Sequence, residues 1–287
     1  MFNKRHIVRT IAATVSILAL SFTAACGSGQ STASNSTDSD DITQQTYKPG
    51  KLTIATGQPA YEPWVMNDKP ESGEGYEAAV AYAVADKLGF KKSDVVWTRT
   101  AFDTAIAPGA KDWDFNIQQF GITDERKKAV DFSSSYYNDS QSVVVKKDSK
   151  FANATKVSDL KDATVGVMVG TLAYDYAKAN IKDDIQTFND DAALAQALDA
   201  GQIDVLVTST VECVYMVQSE QVKDSKVLGR LPDSEDKSGM GIVLPKDSKL
   251  TAAVTKAVDD LNADGTIKKL QDKWLAEYTT DLKERKK

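Results

Sequence analysis

The sequence predicts an α/β protein of two lobes. Strand-like and helix-like apolar segments alternate along the chain, which implies mainly parallel sheets covered by helices. After the three consecutive valines Val143 to Val145 the same alternation starts again. A chain of 287 residues is long enough to bury two ordinary cores.

The elements follow in order. Lys51 to Thr56 reads as a strand ending at Gly57. Tyr76, Val80, Ala83, Val84 and Leu88 recur at helical spacing, and Gly89 suits the position just past a helix end. Val95 to Trp97 is a strand, Phe102 to Ala107 a short helix ended by Pro108-Gly109, and Phe115 to Ile117 a strand. Thr123 is placed to cap a helix carrying Asp124 and Glu125 in its first turn. Ser142 to Lys146 is the strand before the restart. The second series runs through a strand at Thr164 to Val169, a helix at Leu172 to Ala179 and a strand at Ile185 to Phe188. A helix at Ala192 to Ala200, stopped by Gly201, and a strand at Ile203 to Val207 complete it. Gly241 to Leu244 is a further strand. Leu250, Val254, Ala257, Val258 and Leu261, then Ile267, Leu270, Trp274 and Tyr278, mark two closing helices. Lys283 to Lys287 reads as a solvated tail.

The N-terminus reads as an export and anchoring signal. Lys4, Arg5 and Arg9 precede an apolar run from Ile11 to Ala25, too short to span a bilayer comfortably. Small residues, Thr23-Ala24-Ala25, lead to Cys26. The segment resembles a bacterial lipoprotein signal, which implies cleavage after residue 25 and lipidation of Cys26; Thr23 stands where such signals more often have Leu. Residues 26–46 are mostly Gly, Ser, Thr, Asn, Asp and Gln. They cannot bury enough apolar surface to order themselves and read as a flexible tether. The expected location is the outer face of the cytoplasmic membrane, held through the N-terminal lipid.

Composition excludes several functions. Lys and Arg number 35 against 41 Asp and Glu, for a net charge of −6, and removal of the basic leader leaves the body more acidic still. That balance argues against nucleic acid as a partner. The one histidine, His6, lies in the leader, so the mature chain has no Ser-His-Asp or Cys-His nucleophile and no His-ligated metal site. Cys26 and Cys213 are too few for a disulfide framework or a thiolate cage, and Cys213 reads as a buried apolar residue. No cofactor is implied. Asp112 and Asp114, either side of Trp113, read as solvated turn residues rather than a catalytic pair. No phosphate-cradling glycine loop or nucleophile elbow is present.

Four segments carry a family resemblance. They are Gly75-Tyr76-Glu77 with Lys87-Leu88-Gly89; Phe115 to Tyr137, with Ile122-Thr-Asp-Glu-Arg126 leading to Val130-Asp-Phe-Ser133; Asp159 to Thr171; and Ser238 to Lys246 with Leu261 to Ile267 and Lys273-Trp274. Together they resemble the polar-amino-acid family of extracellular solute-binding proteins, the receptors of ABC importers, over residues 47 to 280. The resemblance implies a type II periplasmic-binding-protein-like clamp. Lobe 1 would be residues 47–141 plus 237–287, and lobe 2 residues 142–236. Two crossovers, near Gln141-Ser142 and near Leu231 to Lys237, would form the hinge. The implied partners are an amino acid or related small carboxylate, an ABC permease and its ATPase, with the receptor itself a monomer. A small-carboxylate dehydratase on the same fold is the alternative; a sensor fused to signalling domains is a third class, and no such domain is present.

The resemblance also assigns residues. Arg126 would fork onto a ligand carboxylate, with a backbone N–H of Gly121 beside it. The helix start at Gly170-Thr171-Leu172 would donate from lobe 2 through Thr171 or Leu172. Tyr61 and Phe102 would wall the ligand side chain, and Trp64 would be core or rim. Gln58 and Gln119 would line the cleft, the Gln119 carbonyl accepting from a ligand amine. The family's acidic amine anchor falls five residues after the strand aspartate; counting from Asp204 gives Ser209, which supplies no charge. Either another acid serves, Glu62 and Glu212 being nearest, or the amine is weakly read or absent.

Overall fold

The computed structural model describes residues 41–279 and 282–287. The leader, Cys26 and most of the tether lie outside the described residues. Along the chain come β1 (Leu52–Thr56), α1 (Tyr76–Lys87), β2 (Val95–Arg99), α2 (Phe102–Ile106), β3 (Phe115–Asn116), β4 (Val130–Tyr137), β5 (Gln141–Lys146), β6 (Val165–Met168), α3 (Leu172–Asn180) and β7 (Gln186–Phe188). They are followed by α4 (Asp191–Asp199), β8 (Val205–Ser209), α5 (Thr210–Gln218), β9 (Ser225–Arg230), β10 (Met240–Pro245), α6 (Thr251–Ala263), α7 (Thr266–Trp274) and α8 (Ala276–Thr279).

Two five-stranded sheets share one plan, ordered β2-β1-β3-β10-β4 and β7-β6-β8-β5-β9. In each, the first three strands are parallel and the fourth runs antiparallel to both of its neighbours. The fourth strand is the one that enters directly from the other sheet: β5 on the way out and β10 on the way back. It has no crossover helix before it, so nothing turns it parallel. This is the two-lobe α/β clamp of the type II class. The chain passes between sheets at residues 138–140 and 231–239. The first passage comes slightly before Gln141-Ser142, because those two residues already pair with Ser209 and Thr208 in the second sheet.

Both faces of each sheet are covered, which is why the strands read as continuous apolar runs. In the first sheet Ile242 and Leu244 pack with α1 and α6 residues, while Val243 between them joins Trp113, Phe120 and Val130 on the opposite face. In the second sheet Val143, Val145, Val205 and Val207 share one core, and Val144 and Leu206 face the other. The period of two along each strand divides the cores.

Several elements depart from the sequence reading. β4, β9 and α5 were not expected. β4 carries Ser133-Ser134-Ser135 and register shifts against β10, so it lacks a clean alternation. α5 is rich in β-branched and aromatic residues and serves two cores: Val211 packs in the first and Cys213 and Met216 in the second. Thr123 caps only a 3₁₀ turn, Arg126–Lys128, its hydroxyl accepting from Arg126 N at 3.1 Å. Within the tether segment, Ile42–Gln44 form a 3₁₀ turn and Ile42 packs against the first core, so the ordered body begins before residue 46. Asp114 is no solvated turn residue: it is buried and accepts the amides of Tyr47 at 2.5 Å and Thr53 at 2.6 Å. The last residues are not a free tail. Arg285 N donates to Arg230 O at 2.8 Å and Val157 N to Lys286 O at 2.9 Å, laying the C-terminus along β9 and the start of the second lobe's first turn.

Candidate functional site

A cavity of about 250 Å³ lies between the two sheets. That is room for one small solute. Its walls come from the ends of β1, β3 and β8, from the segment after Gly57, from the N-termini of α3 and α4, and from both inter-sheet passages. Arg126, Gly121, Thr171, Leu172, Tyr61, Phe102, Gln119, Gln58 and Ser209 all line it. Glu62 does not: its carboxylate is turned away, accepting from Asn67 N at 2.9 Å and from the Tyr215 hydroxyl at 3.4 Å. The expectation that Glu62 reads a ligand amine is therefore corrected.

Arg126 is held from both lobes. One guanidinium nitrogen, Nη1, donates to Gly121 O at 2.6 Å, and Nη2 donates to Gly170 O at 2.8 Å. The guanidinium carbon stands 5.4 Å from the centre of the Phe102 ring, which stacks on Phe120 at 4.6 Å. Burial lowers the Arg126 pKa, and the charges of Asp175 and Asp236 oppose that shift. Gly121 leaves space for this arrangement: a Cβ there would lie 2.6 Å from Leu172 Cδ1 and 2.9 Å from Asp236 Oδ2. Thr171 caps α3, accepting from Tyr174 N at 3.2 Å, so the first amides of α3 face the cavity side of the second lobe.

Gln119 has its side chain committed elsewhere. Its backbone takes the left-handed conformation, φ +50°, and both its N–H at 2.7 Å and its side-chain amide donate to Glu77. Glu77 also accepts the Tyr136 hydroxyl. Burial pushes its carboxyl to about 7, against the pull of those three donors. Gly75 makes this possible by opening α1 at φ +99°, where a Cβ would meet Trp64 O at 2.5 Å.

Apart from Glu212, which the sequence offered as a nearby acid, the carboxylates facing the cavity are what sequence reasoning missed. Asp139, Asp190, Asp191, Glu212 and Asp236 line it, and among the described residues Arg126 is the only basic one that does. Trp64, fully buried, donates its indole N–H across the cleft to Glu212 Oε2 at 3.3 Å. Glu212 Oε1 has no hydrogen-bond partner among the described residues. Burial, then the charge of Asp191, hold the Glu212 carboxyl well above the usual range, and the indole opposes them. Asp191 is pushed to about 6 by burial, with the Thr208 hydroxyl at 3.3 Å pulling it back. Asp139 is likewise pushed to about 6 by burial, while donors from Ser140 N, Ser209 and the start of α5 favour its charged form. Tyr61 is raised by burial and by Asp190. Gln118, whose Oε1 also has no partner among the described residues, joins the lining and was not expected. Only Glu212 had a sequence signal, its closeness to Ser209. Among the described residues no three His, Cys, Asp or Glu are placed to hold a metal ion. Cys213 is buried, its thiol raised by burial.

The model of the bacterial extracellular solute-binding proteins, family 3, matches residues 52–277. The chain belongs to that family. The L-cystine-binding protein TcyJ of Escherichia coli strain K12 is 29% identical over 223 residues, 77% of this chain and 81% of that protein. Among solved structures, an ancestral arginine-binding protein bound to arginine is similar with a TM-score of 0.66 and 31% identity, covering 78% of this chain and 98% of that one. The ancestral amino acid-binding protein AncCDT-1, a precursor of cyclohexadienyl dehydratase, aligns with a TM-score of 0.65 and 30% identity over 79% of this chain and 96% of that one. In this family 3 solute-binding protein, then, the cavity lined by Arg126 lies between the lobes of a clamp. No helix among the described residues is long and apolar enough to cross a membrane.

Proposed function

We propose that this protein is the receptor of an ABC importer that captures an amino acid in the interlobe cavity and presents it to a membrane permease and its ATPase. One observation carries the reading: among the described residues Arg126 is the only basic one facing a solute-sized cavity, and its guanidinium already touches backbone of both lobes. A carboxylate inserted there would replace the two carbonyls as its partner and gain the α3 amides from the far lobe. Contacts made by both lobes at once are what favour a closed clamp. The names of the relatives, cystine- and arginine-binding, support an amino acid as the solute class. Binding without turnover is assigned, because a receptor needs closure and release only.

The test is calorimetric titration of the purified body with L-amino acids and L-cystine, with recovery of the solute afterwards. Saturable binding of at least one, recovered unchanged, is expected. Arg126→Ala should weaken it by about 2–5 kcal/mol, as for truncating one partner of a buried charge pair. Affinity within threefold of wild type, or a chemically altered solute, overturns the reading. The N-terminal signal completes it: Cys26 is proposed as the lipidated anchor on the outer face of the cytoplasmic membrane. Unchanged fatty-acid labelling of Cys26→Ser would refute that.

A further inference from the structure

Besides the passages at residues 138–140 and 231–239, the chain joins the two lobes a third time, at its C-terminal end. α8 belongs to the first lobe: Tyr278 is buried in that core, and the Thr279 hydroxyl donates to Leu275 O at 3.1 Å. Lys283, four residues on, is already fixed to the second. Lys283 O accepts Arg230 N at 3.0 Å and Arg285 N donates to Arg230 O at 2.8 Å, so this stretch lies parallel to the end of β9. On its other side Lys286 O accepts Val157 N at 2.9 Å, and Lys286 N donates to Thr155 O at 3.2 Å. The segment is therefore gripped from both edges by main-chain groups. It lies so close to β9 that a Cβ on Gly229 would collide with Lys283 O. The last residue, Lys287, pairs with Asp233 on the second passage.

Chain length gives this arrangement a consequence. Four Cα steps join Thr279 to Lys283, a span of at most about 13–14 Å when fully extended. The lobes cannot part at this edge beyond that reach unless the segment peels off β9, which breaks its backbone bonds together. We propose that residues 282–287 act as a strap that limits how far the lobes open and so raises the affinity for solute. This inference rests on the receptor reading above, in which the clamp closes on capture. An open clamp with fewer accessible arrangements loses less freedom on closing, so the restraint favours the bound state without touching the solute.

The experiment uses the chain from residue 26 with Cys26→Ser, Cys213 being buried. Spin labels are placed at Thr104→Cys on α2 and Lys178→Cys on α3, exposed positions on helices that start at the cavity wall of either lobe. Two variants are compared with this parent. One ends after residue 281. The other carries about ten Gly and Ser residues between Thr280 and Asp281, adding roughly 15–20 Å of average reach while keeping the strap's own contacts. Without solute, both should show longer and broader distances between the labels than the parent. The tightest binder among the L-amino acids and L-cystine, selected by thermal shift, is the probe. At saturation all three chains should reach one common distance, and both variants should bind roughly three- to tenfold more weakly. Widening in the truncated chain alone would make the segment a stabiliser of the second lobe and overturn the proposal, with the receptor reading intact. Unchanged distances in both variants, or affinities within twofold of the parent, overturn it as well. If no amino acid binds, the receptor reading falls, and the solute-free distances decide the strap by themselves.

Discussion

Trp64, in the segment after β1, and Glu212, on α5, are joined across the cleft by an indole N–H to carboxylate bond of 3.3 Å. Trp64 is packed edge-on to Tyr137, 5.5 Å between ring centres, so its N–H is aimed by the first lobe's core. Glu212 arrives from the second sheet's side. Trp64→Phe keeps the packing and removes the donor. A bond of this kind contributes about 1 kcal/mol, and its loss falls on the closed form only. Affinity for the selected amino acid should drop roughly fivefold, with little change in the solute-free melting temperature. Calorimetry and thermal unfolding on the same samples check both halves; a large stability loss would place the role in the core instead.

Gly121→Ala tests how tightly the lobes meet. The added Cβ would fall 2.6 Å from Leu172 Cδ1, which is the end of a flexible side chain on the other lobe. Leu172 can turn aside, so the fold tolerates the change, but full closure over the Arg126 carbonyl contacts is hindered. The expected result is at least tenfold weaker solute binding and a melting temperature within a few degrees of wild type. Small-angle scattering with saturating solute should show a larger radius for the variant.

Glu77 sets a pH dependence. Its folded pKa is about 7 because of burial, above the unfolded value of 4.5. The folded state therefore holds its proton more tightly, and this contribution to stability is fully present below pH 4.5 and lost as pH rises through 7. Asp139 and Asp191, raised to about 6, act in the same direction. The solute-free melting temperature should fall by several degrees between pH 5 and pH 8. Glu77→Gln, which keeps an acceptor for Tyr136 and Gln119, should flatten that slope. An unchanged slope would mean that the other buried acids carry all of it.

The sequence made the repeated α/β plan legible because both sheets are covered on both faces, so strands such as Val143 to Val145 stand out as pure apolar runs. It also placed Arg126, Gly121 and the α3 start at the cavity, since those positions sit in contiguous motifs. What it hid were residues whose meaning depends on two lobes meeting. α5 shows no single apolar face, because its buried side chains divide between two cores. Asp139 sits in a polar passage, Asn138-Asp139-Ser140, that reads as an ordinary turn until the two sheets bury it. The C-terminal segment is strongly charged and reads as solvated, yet it is fixed by backbone groups, which charge patterning does not report.

That segment provides the last prediction. α8 rests against the first lobe, with Tyr278 packed in its core and 6.1 Å from Tyr215 of α5. A few residues on, the chain is bound to the second lobe. Arg230 N donates to Lys283 O at 3.0 Å, Arg285 N to Arg230 O at 2.8 Å, Val157 N to Lys286 O at 2.9 Å and Lys286 N to Thr155 O at 3.2 Å. Each such bond contributes about 0.5–1.5 kcal/mol, offset by roughly 1–2 kcal/mol of backbone entropy per residue ordered. The net is small, so the segment is weakly held and its removal leaves the fold intact. Ending the chain after residue 281 frees the edge of β9, which then has unpaired backbone groups open to other chains. The truncated protein should melt roughly 2–4 °C lower, equivalent to about 1 kcal/mol for a body of this size. Amide exchange at Val157 and Arg230 should rise while that at Val144 and Leu206 stays protected. Exposed charge on the segment contributes little: its ion pair, Lys287 with Asp233, is solvent-exposed, and raising the salt concentration should leave the difference in melting temperature unchanged. Equal exchange at Val157 and Arg230 in both chains would show that the segment does not hold the second lobe in solution.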